Sequence, residues 1–403
     1  MTRHMLRIVW NRKASNALII LEILVSFLVI FAVATAAITT WRNYHRPLGY
    51  TWEDVWHVSL RTGASKLEGE RLTAANQTVA RLLRELETLE PVQRAAAAHF
   101  PPYTQSSSTR NWTTSDNGLM RTEIIRASPE VFEVLGIPLV AGRGFEAADA
   151  ALAWQPVVVN RSFVRDHFGV SAQEAVGQAL DFGGDDNGRP EKRVVGVIDD
   201  YRKGGELAVP NNMMFEPAWL EEEQRPMTQL AIKLAPGTTA AFEEELLKRL
   251  QAVAPEWSFN VRALASKRAT YLRLRLAPLV AAGTVATFLI LMVGLGLVGV
   301  LWQNVTQRTL EVGLRRAKGA TRPNIHWQIL GEMLMIASLG LVLGALVIVQ
   351  VPLMGWFRFL DVATYGFAFS ISAVAIYALA AICGLYPSWL AARIQPAEAL
   401  HYE

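Results

Sequence analysis

Four long apolar runs decide what this chain can fold into: Ala17–Thr40, Leu279–Trp302, roughly Ile329–Leu353 and roughly Gly366–Leu390. Each has the length of the ~20 residues that cross a bilayer as a helix. In lipid a spanning backbone must satisfy its own hydrogen bonds, so each run is expected to be helical. A cleaved signal peptide is the rival reading of the first run. The run exceeds the ~7–15-residue core of a signal, and no clear cleavage site follows it. Glu22 is the odd residue within it. An acid inside a span faces a partner or a cavity, or, this near the end of the run, reaches out to the interface.

Charge sets the orientation. Arg3, Arg7, Arg12 and Lys13 precede the first run, interleaved with Met5, Ile8, Val9 and Trp10. That pattern suits a helix lying on the inner leaflet, in contact with membrane lipid. The link between the second and third runs carries Arg308, Arg315, Arg316, Lys318 and Arg322 against one acid, Glu311. A short basic link stays on the cytoplasmic side. Leu310, Leu314 and Ala317 share one face at i, i+4, i+7 spacing, and Glu311 precedes Arg315 by four residues, the favourable order for an ion pair. Gly319 can end that helix, and Thr321 with Pro323 can start the next. The expected product is a short basic helix held just outside the membrane and suited to docking on another protein. Its small residues, Gly313, Gly319 and Ala320, permit close approach.

The polar stretch Trp41–Ala277 then lies outside. Asp54–Thr62 alternates as a strand, Glu70–Leu89 reads as a helix and Pro91–His99 as a strand. Thr228–Leu234, Thr238–Ala252 and Trp257–Leu264 repeat that order. Two β-α-β units separated by an insertion, about Pro101–Gln224, make a split ferredoxin-like arrangement. Val157–Asn160 and Val194–Ile198 are expected strands of the insertion. Lys267, Arg268, Arg273 and Arg275 lie outside, before the second span, and suggest a helix continuing outward as a stalk.

The chain is thus expected to order as follows: a cytoplasmic interfacial helix at 1–16, a span at 17–40 and an outer domain at 41–277. A span at 278–302, a coupling loop at 303–328, a span at 329–353 and an outer loop at 354–365 come next. A span at 366–390 and a cytoplasmic tail at 391–403 complete it, with both termini cytoplasmic. The fold class is four membrane helices with a large α+β extracytoplasmic domain.

Signals for chemistry are weak. Gly294, Gly296 and Gly299 spell G-x-G-x-x-G, but within a span and without the strand and later acid of a dinucleotide site. They read as close-packing positions, as do Gly340 and Gly344. There is no Walker-type phosphate loop. Asp181, Asp185, Asp186 and Asn187 read as a hairpin tip, and the His residues lack ligand spacing. Asp199 and Asp200 read as the start of a turn. The lone Cys383 lies in an apolar run and reads as a small hydrophobe. A net charge of +3, with its basic residues beside spans, points away from nucleic acid. The chain is expected to be no enzyme and to hold no cofactor.

These residues carry a family resemblance. EVGLRRAKGA at Glu311–Ala320 resembles the E-[IV]-G-[IL]-R-[RK]-A-x-G-A loop of MacB/FtsX-type ABC transporter permeases. In the tail Gly384–Glu403, Pro387, Ala391, Ala392, Pro396, Glu398, Ala399 and Leu400 match the ending of that family, with Ser388 in place of Ala. Ser128–Phe145 and Val157–Gly169 resemble its extracytoplasmic core, although Arg161 stands where an acid is usual. The resemblance implies a stand-alone permease subunit in the bacterial inner membrane. Its partners would be an ABC ATPase dimer and a second permease, identical or related, with a periplasmic adaptor and an outer-membrane channel as further candidates. ATP and Mg would be bound by the ATPase. The ATPase-coupling residues would be Arg308, Leu310, Glu311, Gly313, Leu314, Arg315, Arg316, Gly319 and Ala320. The expected role is mechanotransmission: ATP hydrolysis inside drives work on a drug, peptide or lipoprotein outside. An FtsX-like transducer controlling an extracytoplasmic hydrolase is the alternative.

Overall fold

The computed structural model describes residues 13–63, 67–104, 106–113, 119–180, 191–220, 223, 226–307, 314–315, 317–353 and 361–393. They divide into two compact units: Asn43–Arg275, and the remainder of the chain on either side of it. The basic segment 1–12, the stretch 181–190 expected as a hairpin tip, and the residues after Arg393 lie outside the described residues.

In chain order the elements are helix α1 (Lys13–Tyr44), strand β1 (Val55–Arg61), α2 (Glu70–Leu86), β2 (Val92–Ala97), β3 (Ser108–Thr113) and β4 (Leu119–Ala127). Then come α3 (Val131–Val134), β5 (Leu139–Gly142), a 3-10 turn at Ala147–Ala151, β6 (Gln155–Asn160), α4 (Arg161–His167), α5 (Ala172–Ala175), β7 (Lys192–Ile198) and β8 (Asn212–Pro217). The last are β9 (Gln229–Leu234), α6 (Phe242–Val253), β10 (Ser258–Ala263), α7 (Leu264–Gln307), α8 (Arg322–Leu353) and α9 (Val362–Arg393).

Within Asn43–Arg275, four antiparallel strands form one sheet in the order β10-β1-β9-β2. This is the expected pair of β-α-β units. α2 forms because Ala75, Val79, Leu82, Leu83 and Leu86 recur at helical spacing and are buried. α6 buries Phe242, Leu246 and Leu250 and opens with Glu243, Glu244 and Glu245, where the helix dipole favours acids. Both helices pack with Val58, Leu60, Ala95, Ala97, Leu230 and Ile232. The alternate residues of the same strands, Val55, Ala96, Ala98 and Ala231, join a second core with the insertion. Neighbouring strand residues point to opposite faces, so this sheet is covered on both.

The insertion is a six-stranded mixed sheet in the order β3-β4-β8-β6-β7-β5. Its β6 and β7 contain the two strands expected there. One face gives Ile125, Val158, Ile198 and Phe215 to the shared core, and the other gives Ile124, Val157, Val194 and Met214 to a core with Phe163 and Val164 of α4. Asn160 caps α4 by accepting from the Phe163 amide at 3.1 Å. Asp200 Oδ1 accepts from Asn160 Nδ2 and from the Ser162 amide, both at 3.0 Å, while Asp199 pairs with Arg161 at 3.3 Å. The two acids therefore hold a turn together, and Arg161 finds its partner there.

Among the described residues, the other unit holds four helices long and apolar enough to cross a membrane. They outrun the expected apolar stretches. α7 begins at Leu264, α8 at Arg322 and α9 at Val362, because helical hydrogen bonding continues into the polar flanks where hydropathy stops. The link between α8 and α9 is correspondingly shorter than 354–365. α1 packs on α8 through the glycines: a methyl placed on Gly340 would lie 2.6 Å from Ile23 Cγ2, and one on Gly344 would meet the Phe27 ring. Gly294 faces Cys383 and Leu379, and a methyl on Gly296 would lie 2.8 Å from Glu22 Oε2. Glu22 thus faces α7 at a glycine. Polar links between the described helices include Arg42 donating to Asp361 at 3.1 Å and to Thr364 at 2.6 Å, and a hydrogen bond of 2.9 Å shared by Ser338 and Tyr377.

Candidate docking loop

Between α7 and α8 the described residues form one helical turn and its stop. The Lys318 amide donates to the Leu314 carbonyl and the Ala320 amide to that of Arg315, both at 3.1 Å. Gly319 between them has φ of 95°, the left-handed conformation that glycine adopts without a Cβ clash. A six-residue bond closing over a left-handed glycine is the Schellman stop. The chain then re-enters a helix at once. The Ile325 amide donates to the Thr321 carbonyl at 3.3 Å, and Pro323 sits in the first turn of α8, where its missing N–H costs nothing.

Arg315 ties the turn to α8 by donating to Gln328 Oε1 at 2.6 Å. Gln328 in turn donates to Glu332 at 3.4 Å. The sequence paired Arg315 with Glu311, which lies outside the described residues, as do Arg308, Leu310, Gly313 and Arg316. The other candidate residues come together. Arg315, Gly319 and Ala320 line an open hollow of about 400 Å³ with Lys318, Asn324, Ile325 and Gln328. Leu314, 51% exposed, stands beside it. A stiff turn with an apolar knob, two cations and a shallow hollow can receive a complementary protein surface. Among the described residues of this turn nothing is arranged for bond-making chemistry.

One group escaped sequence reading. The first turns of α7 belong to the Asn43–Arg275 unit, and Arg268 there pairs with Glu206, whose side chain is nearly buried. Tyr103 donates to the same carboxylate at 3.3 Å, and the Arg268 guanidinium lies over the Trp52 ring at 4.4 Å. Tyr271, one turn on, packs against Tyr103 with ring centroids 5.8 Å apart. Fully buried Arg202 donates to the carbonyls of Glu206, Ala208 and Arg46. The only sequence signal was a basic stretch before the second span, which named Arg268 but not its acid.

Fold and loop together define a class: an integral membrane protein of four apolar helices with an outer α/β domain of two sheets. Comparison with known families is specific. Residues 17–249 match the MacB-like periplasmic core domain, and residues 283–396 match the FtsX-like permease C-terminal domain. The chain belongs to the MacB/FtsX-type family of ABC transporter permeases. Among relatives, the macrolide export ATP-binding/permease protein MacB of Bordetella avium is 24% identical over 317 residues, 75% of this chain and 46% of that protein. The protein of the same description from Syntrophobacter fumaroxidans is 33% identical over 192 residues, 43% of this chain and 25% of that one. The periplasmic region of MacB from Actinobacillus actinomycetemcomitans overlays 57% of this chain and 97% of its own length, at 14% identity and a TM-score of 0.38. The chain spans about two fifths of the length of the first curated relatives it matches, 41% of each.

Proposed function

We propose that this chain is the permease subunit of an ABC transporter and that a separate ATPase dimer docks on the turn around Leu314–Ala320. The observation that carries the reading is the turn itself: closed by Gly319, tied to α8 through Arg315 and Gln328, and presenting Leu314 outward. ATP and Mg would be held by the ATPase. The loop faces the cytoplasm, the Asn43–Arg275 unit faces the periplasm, and the membrane is the bacterial inner membrane. Basic residues beside Gly319 support that orientation. The names of the relatives join an ATP-binding and a permease function to export. They support export. We read the cargo as a drug, peptide or lipoprotein, exported or extracted, with a second permease, identical or related, as partner.

Force would travel by mechanotransmission. α7 runs from Leu264 to Gln307 with Pro278 inside it, and its first turns are rooted through Arg268 and Glu206. We read this helix as the element along which a displacement at the loop acts. The test uses the full chain in membranes with its ATPase. Leu314→Glu with Arg315→Glu is expected to abolish co-purification of the ATPase while the chain stays inserted. Normal co-purification and normal export would overturn the docking role. Orientation is tested separately: a cysteine at Lys318 should resist an impermeant thiol reagent in intact cells, and one at Glu146 should react. The reverse pattern would overturn the assigned topology.

A further inference from the structure

The Asn43–Arg275 unit holds an open cleft of about 360 Å³ whose walls carry charges of both signs. That volume falls in the ~300–1,000 Å³ range of small-molecule sites. The cations are arginines. Arg46 is exposed, and its guanidinium has no acid partner among the described residues. Arg165 of α4 places its Nε on Asp166 at 2.8 Å and leaves the two terminal nitrogens of its fork free. Buried Arg202 backs the cleft, with its N–H groups on the carbonyls of Arg46, Glu206 and Ala208. Its charge meets no carboxylate directly, since that of Glu206 is taken by Arg268. A buried cation without a counterion is costly, and an anion in this cleft offsets that cost.

The acids are Asp199 and Asp200, and each uses one oxygen on the protein. Asp199 Oδ1 accepts from Arg161 Nε at 3.3 Å and from the Asp200 amide at 2.9 Å. Asp200 Oδ1 takes Asn160 Nδ2 and the Ser162 amide. The second oxygen of each is unclaimed among the described residues. A simple anion is repelled by these oxygens, and a simple cation by the arginines. A zwitterion suits both. The planar fork of arginine matches phosphate oxygens, and a primary ammonium brings three donors to the carboxylates. Val209, 51% exposed, adds apolar surface to the wall for a carbon skeleton. Arg46 stands two residues beyond the end of α1, so the chain carries it no more than about 7 Å past that helix. Trp41 and Tyr44, in the last turn of α1, are exposed aromatics of the kind that sit at the level of lipid headgroups.

We propose that this cleft binds a phosphoethanolamine group, with its phosphodiester on Arg46 and Arg165 and its ammonium on Asp199 and Asp200. The group reaches the cleft either as the headgroup of a phospholipid or as a soluble phosphodiester. The site is independent of the docking loop, and its test needs no ATPase. Glycerophosphoethanolamine and glycerophosphocholine are titrated into the purified full chain in phosphatidylcholine nanodiscs, with calorimetric readout. The first is expected to bind saturably and about tenfold more tightly, the worth of one hydrogen bond to a charged group, because choline has no N–H to donate. Asp199→Asn should bring the two ligands to the same affinity. Arg161→Gln removes the turn contact of Asp199 but keeps its carboxylate, so it should retain the preference and separate recognition from a loosened turn. Arg46→Gln, at an exposed position, should weaken both ligands about tenfold. Equal affinity of the parent for the two ligands, no saturable heat, or parental binding in Arg46→Gln overturns the proposal. Repeating the titration in nanodiscs that contain phosphatidylethanolamine distinguishes the sources. Competition by the lipid supports the headgroup, and undiminished binding supports the soluble phosphodiester. Loss of ATPase docking with binding intact would overturn the functional reading above and leave this site standing.

Discussion

The two units of this chain are held together by different means. In the Asn43–Arg275 unit, charged side chains go inside: Lys203 with Glu123, Lys192 with Glu216, and Arg202 on three carbonyls. In the membrane unit the described helices meet through Ile23 and Phe27 on Gly340 and Gly344, and the ion pair between Arg42 and Asp361 lies at the helix ends. The solvent explains the difference. Water rewards apolar burial, so a water-facing domain builds thick cores and can carry a few buried pairs within them. Lipid is as apolar as Leu and gives no such drive, so helices associate by close packing at small residues. Buried charge belongs to the unit that already has a core to enclose it.

The largest expected effect breaks this contrast from the outer side. Lys203→Met leaves Glu123 buried without its ammonium; both side chains are under a tenth exposed. Removing one partner of such a pair costs about 3–5 kcal/mol. The double change Lys203→Met with Glu123→Leu should recover most of the loss, since an apolar pair of like volume replaces the ions. Thermal unfolding of the full chain checks both. A single variant as stable as the parent would show that the pair is solvated rather than buried.

From the membrane side, Gly344→Leu puts a branched side chain where the Phe27 ring already sits. Overfilling a packed contact costs about 1–3 kcal/mol. Combining it with Phe27→Ala should restore part of the stability, because the new side chain then takes the space of the ring. If Gly344→Leu alone keeps the parent midpoint in detergent, α1 does not approach α8 as closely as described.

These two sites also show what could be read from residues alone. The spans were legible because hydropathy over ~20 residues is a long signal. The β-α-β halves were legible because period two gives way to period 3.6 and back. Gly340 and Gly344 were visible as a small-residue face. The buried pairs were not: Lys203 and Glu123 stand 80 residues apart and meet only through the tertiary fold. Arg268 was noticed and Glu206 was not, for the same reason. The loop was legible in its helix stop at Gly319 and in the restart at Thr321. Arg315 is described donating to Gln328 on the next helix, a contact across a turn that local i,i+4 rules do not supply, while its expected partner Glu311 lies outside the described residues.

A third effect depends on acid. His57 of β1 is 1% exposed, and its Nε2 lies 3.5 Å from Lys267 Nζ. Burial, then the Lys267 ammonium, lower its pKa from 6.5 to about 3. The folded chain therefore keeps His57 neutral, while the unfolded chain takes up a proton as pH falls below 6.5. Stability from this group is present above that value and drains away as pH falls toward 3, by about 1 kcal/mol between pH 7 and pH 5.5. His57→Gln should flatten that part of the pH profile of unfolding. An unchanged slope in the variant would assign the acid sensitivity to other groups.

The smallest effect probes the one ion pair described between membrane helices. Arg42 and Asp361 are 41% and 57% exposed at the ends of α1 and α9, so water and salt screen them, and pairs of this kind contribute about 0–1 kcal/mol. Arg42→Gln should therefore shift the unfolding midpoint little, and adding salt should shift the parent by a similar amount. The hydrogen bond from Arg42 to Thr364 at 2.6 Å is the complication, because Gln can still donate there. Asp361→Asn removes the charge and leaves that bond untouched. If Asp361→Asn costs as much as Gly344→Leu, charge does as much as close packing to hold these helices, and the contrast between the two units fails where it was drawn most sharply.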